Sequence, residues 1–396
     1  MRPLVYLFPV LILVSCQSAL IGPSEVCTGD NTLAINADHP KSAVAQAIMD
    51  RYTSNGLPGI SVLIDDEEGL WMGSAGYADL ENQIPMQPCH INKLGSVAKM
   101  MMGTLAWQFI QEGKLSLDDP IAEHIPDAAA RVTNGDVITV GMLLNHTAGV
   151  YDFARDLNLN LAVINDMDQV WTKEMLLDII GEKDAVHEPG QDISYSNSHT
   201  FLLALILEAI SGKPHGDLLQ ERLFTPLGME NTFRYDYSAP FPRENVAQGY
   251  LDFHNDGKSI QNISPLNPGN YGFTGVYSTV GDLYRFVNAL LREKTLTTPE
   301  NLELIFSGFR GKEGQSWRGS YGAIHDEFRP VLENLPGDVH AYGHAGGDIG
   351  YSATVNYFPH NNTILTVTYN YGTNLPTDLG GKLIDIRHEL VLLAAE

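Results

Sequence analysis

The stretch Lys93-Leu94-Gly95-Ser96-Val97-Ala98-Lys99-Met100 carries a serine three residues ahead of a lysine. On a helix, residues three apart lie on one face, so the Ser96 hydroxyl and the Lys99 amine would sit one turn apart. A serine hydroxyl is a poor nucleophile until a neighbouring base accepts its proton, and an adjacent amine can do so. Ser-x-x-Lys also occurs by chance as an exposed polar pair, so the pattern alone leaves both interpretations open.

Length and composition indicate a globular protein. The chain has 396 residues, enough for two or more domains or for one large core with an insertion. Hydrophobic residues make up 44% and charged residues 18%, which excludes a disordered chain. The net charge of −24 would repel phosphate backbones, and no basic run offsets it. We therefore expect no nucleic-acid partner.

The first residues resemble a bacterial export signal. Met1-Arg2-Pro3 precedes an apolar run over 4–14 that is too short to span a bilayer. The run ends in Leu13-Val14-Ser15-Cys16, which resembles the lipobox, whose cysteine becomes the first mature residue and carries lipid. We expect a signal peptide over 1–15, lipid on Cys16 as the only membrane attachment, and a location in the cell envelope facing the periplasm. Secretion after an ordinary signal peptide is the alternative.

Cysteine and histidine usage bears on redox compartment and metals. The chain has three cysteines and 13 histidines. In an exported protein Cys27 and Cys89 can form a disulfide, the alternative being two free thiols. The histidines form neither a His-Glu-x-x-His pattern nor the Cys/His spacing of a zinc site. The sequence therefore predicts no metal and no cofactor.

Hydrophobic patterning predicts strands near both ends of the chain and mostly helices between them. Apolar runs at 59–64, 70–76, 351–358 and 362–369 are typical of strands. This distribution suggests one sheet built from both chain ends, with a helical domain inserted. The predicted divisions are a tether over 16–39, a sheet domain over 40–114 and 271–396, a helical domain over 115–270, and an active site between the two domains.

Two further segments carry groups that can do chemistry. Tyr195-Ser196-Asn197 follows a Pro-Gly turn, where a tyrosine beside an ammonium can accept and return a proton and an asparagine amide can hold a carbonyl. The glycines of Tyr342-Gly343-His344-Ala345-Gly346-Gly347-Asp348 let a substrate approach the backbone, where a free N–H can face an oxyanion. Taken alone, the first segment could be a loop tyrosine with a capping asparagine, and the second a flexible hairpin.

In order and spacing, the three segments resemble the serine β-lactamase and penicillin-binding protein superfamily. In detail they resemble its class C branch, which includes D-Ala-D-Ala carboxypeptidases, D-amino-acid peptidases and family VIII esterases. That branch has Tyr-x-Asn as second motif and Lys-Thr-Gly or His-x-Gly as third. Leu143-Leu144-Asn145-His146-Thr147-Ala148-Gly149-Val150 and Pro226-Leu227-Gly228-Met229 also match, and the resemblance runs from Ala43 to Leu393. It implies a β-lactamase/transpeptidase-like α/β (α+β) fold, with an antiparallel sheet flanked by helices.

The resemblance also implies roles for the residues of the first two motifs. Ser96 would be the nucleophile and Lys99 its activating partner. Tyr195 would be the general base and later the general acid, and Asn197 a ligand of both the substrate and the lysine. Which of Lys99 and Tyr195 accepts the serine proton stays open, because neighbouring groups titrate as a pair.

The third motif bears on the substrate. The resemblance places the oxyanion hole at the backbone N–H groups of Ser96 and Gly347, and it implies that His344, Gly346 and Gly347 bind substrate. The β-lactamases of this branch have lysine and a hydroxyl residue where His344 and Ala345 stand. A mostly neutral imidazole and a methyl group would bind a substrate carboxylate less strongly at neutral pH.

We therefore expect a serine hydrolase that forms an acyl-enzyme on a small-molecule or short-peptide substrate. The expected substrates are esters or amides, including peptidoglycan-derived D-peptides. A β-lactamase and a non-catalytic penicillin-binding-like envelope protein are the alternatives. The family pattern makes His146 and Asn145 parts of a structural turn, while Asp348 could touch substrate or cap a turn. Ser74 lacks the first glycine of a nucleophile elbow and is interpreted as the end of a strand.

Overall fold

The computed structural model describes residues 22, 24–27, 32–166, 169, 171–235, 243–257, 259–264, 275–312, 315–373 and 376–396. The strands are β1 (Gly59–Asp66), β2 (Gly69–Asp79), β3 (Ile84–Pro85), β4 (Asn92–Lys93), β5 (Phe233–Arg234), β6 (Tyr250–Asp252), β7 (Ile260–Asn262), β8 (Val276–Ser278), β9 (Trp317–Gly319), β10 (His325–Glu327), β11 (Tyr342–Asp348), β12 (Tyr351–Phe358) and β13 (Thr363–Tyr369). The α-helices are α1 (Ser42–Ser54), α2 (Ala98–Gln111), α3 (Ile121–His124), α4 (Pro126–Ala129), α5 (Val140–Leu144), α6 (Leu157–Asn165), α7 (Lys173–Gly181), α8 (Asn197–Ser211), α9 (His215–Leu219), α10 (Val280–Val287), α11 (Pro299–Ser307), α12 (Arg329–Leu332) and α13 (Asp378–Ala395).

The main sheet joins the two ends of the chain. Its eight strands run in the order β3-β2-β1-β13-β12-β11-β10-β9, and every neighbouring pair is antiparallel. At the centre, Val62 of β1 lies opposite Val367 of β13. Strand β13 is buried along its whole length, as expected for a strand covered on both faces. The predicted antiparallel sheet built from both chain ends and flanked by helices is confirmed.

Helices cover both faces of this sheet. Because successive strand residues point to opposite faces, Ile364 and Leu365 of β13 belong to different apolar cores. Leu365 packs in the core that contains Ile48 of α1 and Ile386 of α13. Ile364 packs in the larger core, which contains α2, α8 and α10. The large core therefore links the sheet to the helices that carry the first two sequence motifs.

The region predicted as helical, 115–270, contains α3 to α9 and also three short strands that patterning did not predict. One of them, β5, pairs with β8, which in turn pairs with β4 just ahead of Ser96. Helix α8 begins at Asn197 rather than at the expected Thr200, because the Ser196 side chain accepts a hydrogen bond from the Ser198 N–H at 3.2 Å and caps the helix there.

Much of the segment predicted as a tether, 16–39, packs against the body of the protein where it is described. Ser24 is 4% exposed, and its hydroxyl donates to the Val246 carbonyl at 2.5 Å. Cys27 and Cys89 form a disulfide with a Cα–Cα distance of 6.1 Å. The polar composition of this segment predicted an exposed tether. Polar side chains can nevertheless be buried when they form hydrogen bonds to backbone groups, as Ser24 does. The predicted signal peptide and Cys16 lie outside the described residues, and no described helix is long and apolar enough to cross a membrane.

Candidate active site

Ser96 and Lys99 meet at the start of α2. A 3-10 turn over Gly95–Val97 leads into this helix, and Lys99 Nζ lies 3.1 Å from Ser96 Oγ in hydrogen-bonding geometry. Lys99 is only 2% exposed, while Ser96 is half-buried and lines a cavity. The serine oxygen is therefore accessible from the cavity, and the amine that can take its proton is enclosed behind it.

The strand β11 passes very close to this turn, and glycine makes the approach possible. A Cβ placed on Gly346 would lie 2.1 Å from the Leu94 carbonyl oxygen and 3.1 Å from the Ser96 nitrogen. Gly95 has a φ of +53°, and a Cβ there would lie 2.7 Å from the Gly347 carbonyl oxygen. The backbones of Ser96 and Gly347 are thus neighbours. Their joint role as an oxyanion hole stays a prediction, which this proximity supports.

Replacing Gly346 with alanine should disturb both packing and catalysis. The added methyl group meets backbone atoms that cannot rotate away, so we expect a loss of about 1–3 kcal/mol in the free energy of unfolding. A displacement of Ser96 by a fraction of an ångström should lower kcat by about 100-fold. Chemical denaturation and steady-state kinetics measure the two effects. Gly381→Ala is the control, since a Cβ there meets nothing within 4 Å; equal behaviour of the two variants would contradict the close approach.

A buried ion pair fixes this junction. Lys93 of β4 and Asp348 of β11 are 1% and 6% exposed, and Lys93 Nζ lies 3.1 Å from Asp348 Oδ2. Burial acts to lower the pKa of Lys93, but the charge and hydrogen bond of Asp348, together with Tyr277 and Tyr351, outweigh it, so the pKa is raised and the lysine is charged. Asp348 Oδ1 also accepts the Ile349 N–H at 2.8 Å. Asp348 therefore caps a turn and binds the segment just before Ser96 to the strand that carries the third motif.

Tyr195 completes the group around the nucleophile. Lys99 Nζ lies 5.3 Å from the centre of the Tyr195 ring. The Tyr195 hydroxyl is buried and has no hydrogen-bond partner among the residues described. An unpartnered buried hydroxyl is costly in an apolar site, and it is common where a substrate or a proton-transfer partner is to bind. The hydroxyl is thus available for proton transfer at this site.

Asn197 makes a different contact from the one predicted. Its Nδ2 donates to both carboxylate oxygens of Asp152, at 3.1 and 3.2 Å, and its backbone N–H donates to Asp152 Oδ1 at 3.1 Å. In the described part of the chain no hydrogen bond joins Asn197 to Lys99. Asp152 is a 7% exposed carboxylate and requires donors, which the amide supplies. The contact of Asn197 with substrate stays a prediction.

The two residues of the Asn-His turn have structural roles. Asn145 Oδ1 accepts from the Thr147 backbone N–H at 3.2 Å and from its hydroxyl at 2.6 Å. His146 has a φ of 61°, and its Nδ1 lies 3.0 Å from Nδ1 of His199. The His146 ring centre lies 4.6 Å from that of Tyr195. His146 therefore acts as a positioning residue that holds the tyrosine ring.

His344 lies in β11, a strand that the hydrophobic pattern did not predict. Its ring is 2% exposed and lies 4.1 Å, centre to centre, from the ring of His325 in the adjacent strand β10. Glu327, two residues further along β10, accepts the Ala345 N–H at 2.9 Å. Burial, and next the neighbouring His325, hold the pKa of His344 well below its usual value, so the imidazole is neutral.

The sequence interpretation missed His325, Glu327 and Trp317. They lie on either side of a turn, in strands of only three residues, β9 and β10, which are too short to show a period. Trp317 stacks on His325 with ring centres 4.4 Å apart. His325, Glu327 and His344 lie close together, with one potential ligand atom of each within 4.8 Å of the other two. Local motif spacing could not reveal this group, because strand pairing assembles it.

Buried neutral imidazoles predict a fall in stability below neutral pH. Burial lowers the pKa of His199 and of His325 from 6.5 to about 3, with smaller contributions from His187 and Lys99 respectively. Between these values the unfolded chain binds protons that the folded chain does not. The free energy of unfolding should therefore fall as pH drops below 6.5, by about 1.4 kcal/mol per pH unit for each such group.

Denaturant titrations between about pH 7 and pH 5 measure this slope. Glu327, whose pKa is raised by burial, contributes in the opposite direction because its folded form binds the extra proton. His199→Gln should make the pH dependence shallower by about one group, or about 1.4 kcal/mol per unit. Stability that stays level across this range, or the same slope in the variant, would contradict the assignment of buried neutral imidazoles.

Ser96 opens into a cavity of about 720 Å³ between the sheet and the helical region. Tyr195, Trp317, His325 and His344 form part of its wall. Cationic side chains also line the cavity, and they come from three separate segments: Arg155, Lys312 and Arg387. A cavity of this size accommodates a small ester or a short peptide.

A serine bonded to a buried lysine, beside a tyrosine and a glycine-rich strand, defines a site of the Ser-x-x-Lys serine hydrolase class. The Beta-lactamase family model matches residues 43–384. This chain belongs to that family, whose homologues are serine hydrolases, and the resemblance stated from the three motifs is confirmed.

Relatives within the family have different names and different extents of overlap. A penicillin-binding protein of Bacillus subtilis (strain 168) is 28% identical over 312 residues, which is 75% of this chain but only 64% of that protein. The D-alanyl-D-alanine-carboxypeptidase/endopeptidase AmpH of Escherichia coli (strain K12) is 25% identical over 358 residues, 86% of this chain and 88% of the relative. Among solved structures, the D-amino acid amidase from Ochrobactrum anthropi SV3 has a TM-score of 0.74 at 23% identity, covering 89% of this chain and 97% of that one, and supports the fold.

Proposed function

We propose that this protein hydrolyses small esters or amides through an acyl-enzyme on Ser96, with D-amino-acid peptides as the natural substrate class. One observation carries the proposal. The Ser96 hydroxyl faces the cavity with the Lys99 amine 3.1 Å behind it.

The chemistry follows from these positions. Ser96 Oγ attacks the substrate carbonyl carbon while its proton passes to Lys99 or Tyr195. The backbone N–H groups of Ser96 and Gly347 stabilise the negative oxygen of the tetrahedral intermediate. Tyr195 then returns a proton to the leaving oxygen or nitrogen, and the acyl-enzyme forms. A water molecule that gives its proton to the Lys99–Tyr195 pair attacks the carbonyl carbon of the acyl-enzyme; the bond from this carbon to Ser96 Oγ breaks, Oγ takes the proton from the pair, and the acid product leaves.

The wall around His344 supports esters and D-peptides over β-lactams. A buried neutral imidazole replaces the lysine that the β-lactamases of this branch place there, so the strand offers no charge to a carboxylate. Arg387 can supply positive charge from another wall of the cavity, whereas Lys312 pairs with Asp192 at 2.8 Å and Arg155 with Asp152 at 3.5 Å. Such a distribution suits an extended peptide whose carboxylate lies away from β11. The relatives named as a D-alanyl-D-alanine carboxypeptidase and a D-amino acid amidase lend support.

A side-by-side assay tests the substrate class. The purified protein is given a short-chain ester, a D-Ala-D-Ala peptide, a D-amino-acid amide and a chromogenic cephalosporin, with Ser96→Ala as control for each. We expect turnover of the ester and of at least one D-substrate, and cephalosporin turnover at least about 100-fold lower in kcat/KM. Cephalosporin hydrolysis above all other activities would favour the β-lactamase alternative. Absence of any turnover and of any covalent labelling would favour the non-catalytic alternative.

We also propose that the protein is exported to the cell envelope and anchored by lipid on Cys16. The Cys27–Cys89 disulfide supports an oxidising compartment, because reducing conditions in the cytosol keep thiols free. Metabolic labelling with a fatty-acid analogue, comparing the native chain with Cys16→Ser, tests the anchor. Incorporation should depend on Cys16, and equal incorporation in both would contradict it.

A further inference from the structure

Three side chains in the cavity wall form a compact group that takes no part in the proton transfers proposed above. His325 and Glu327 of β10 and His344 of β11 are 2%, 6% and 2% exposed. One ligand atom from each lies within 4.8 Å of the other two. All three residues also line the cavity that contains Ser96. The group is therefore enclosed by protein on one side and accessible to a small ion from the other.

The donor atoms of the group are available. His344 Nδ1 lies 2.6 Å from the Ala345 carbonyl oxygen, so Nδ1 carries the proton and donates to the carbonyl, and Nε2 keeps its lone pair. An imidazole that donates its other N–H to a backbone carbonyl is the usual arrangement for a metal ligand. Nε2 of His325, Nε2 of His344 and Oε2 of Glu327 are buried without a hydrogen-bond partner among the described residues.

We propose that His325, Glu327 and His344 bind a divalent transition-metal ion, with Zn²⁺ as the preferred ion. Two imidazoles and one carboxylate are a ligand set of open zinc sites, and the imidazoles disfavour Ca²⁺ and Mg²⁺, which prefer oxygen ligands. Ligand atoms around one tetrahedral Zn²⁺ lie about 3.3 Å apart. Side-chain rotations that move each ligand atom by about 1 Å would therefore bring all three within bonding distance of one ion. The remaining coordination position faces the cavity.

The surroundings suit a metal. Stacking of Trp317 on His325, with ring centres 4.4 Å apart, restricts the rotation of that imidazole. Glu327 Oε1 is held by the Ala345 N–H at 2.9 Å, which orients the carboxylate. Ion binding requires Glu327 in its ionised form, which then supplies negative charge to the ion.

The site has a consequence for the hydrolase. An ion in this wall, with its bound water, occupies part of the cavity that opens onto Ser96 and adds positive charge close to Lys99. Zn²⁺ should therefore inhibit hydrolysis in competition with substrate. The reaction proposed above requires no metal, so the binding site and the hydrolase activity stand or fall separately.

Calorimetric titration of the metal-free protein with ZnCl₂ tests the site without any substrate. We expect one ion per chain, and an affinity lowered by at least about 10-fold in His325→Gln and in Glu327→Gln. His254→Gln, which removes an exposed imidazole away from the cavity, should bind as the native chain does. No binding at concentrations up to about 1 mM, or unchanged binding in both cavity variants, would overturn the proposal.

A crystallographic measurement on the native chain removes any dependence on the folding of variants. Anomalous scattering from crystals soaked in Zn²⁺ should place one ion about 2.0–2.2 Å from side-chain atoms of His325, Glu327 and His344. Ions found only at surface histidines would overturn the proposal, whatever the titration gives.

Discussion

Ser96→Ala should lose more than about 10⁴-fold of kcat on the best ester or amide substrate while the protein stays folded. The substitution removes the only atom that can form the acyl-enzyme in the proposed scheme. Lys99 and Tyr195 then have no hydroxyl to activate, so their presence in the variant does not restore activity. Residual turnover would come from the oxyanion donors and substrate binding alone.

The effect on stability should be small, which separates catalysis from folding. Ser96 is half-buried at the cavity, and within the described part of the chain its side chain makes one hydrogen bond, to Lys99. We expect a change in the free energy of unfolding within about 1.5 kcal/mol. Steady-state kinetics and denaturant titration of the same preparation measure both quantities. A variant that folds and retains more than a tenth of the native kcat would contradict the role of Ser96.

Tyr195→Phe should lower kcat by about 10²- to 10⁴-fold with little change in KM. The substitution deletes only the hydroxyl, and that hydroxyl has no hydrogen-bond partner among the described residues. The ring, its packing against His146 and its position 5.3 Å from Lys99 Nζ are retained. Stability should therefore be unchanged or slightly higher, because a buried unsatisfied polar atom is removed.

A matched control and a double variant sharpen this prediction. Tyr151→Phe removes a hydroxyl that lies 3.3 Å from an Asp156 oxygen, outside the residues that line the cavity, and should leave kcat unchanged. If Tyr195 and Lys99 act as one proton-transfer unit, their effects on kcat should not multiply. The double variant Lys99→Met/Tyr195→Phe should then lose less kcat than the product of the fold-losses of the two single variants. Equal kcat for Tyr195→Phe and Tyr151→Phe would remove Tyr195 from the mechanism.

Apolar strands were predicted well because a buried strand appears in the sequence as a continuous apolar run. Strand β12 spans Tyr351–Phe358, the same residues as its apolar run, and it is buried at all but one position. Strand β11 was not predicted, because Gly343, Gly346 and Gly347 have low strand propensity. It forms because β12 pairs with it residue by residue and the Ser96 turn packs directly against its glycines.

In the candidate site, too, residues within sequence motifs could be predicted, whereas contacts that depend on the tertiary fold could not. The order of the three motifs was sufficient to predict that Ser96, Lys99 and Tyr195 come together, and their contacts in the structure agree with that prediction. The partner of Asn197 could not be predicted, because Asp152 lies 45 residues away and belongs to no motif. The grouping of His325 with His344 depends on the pairing of β10 with β11, which no local pattern in the sequence specifies.

Covalent trapping of Ser96 tests the central claim most directly. The native protein is treated with a fluorophosphonate probe, and separately with a D-amino-acid ester whose acyl-enzyme hydrolyses slowly. The adducts are then located by mass spectrometry of peptides. We predict one adduct per chain on the peptide that contains Ser96, with none in Ser96→Ala. An adduct on another residue, or full hydrolytic activity in a chain whose Ser96 carries no adduct, would contradict the account.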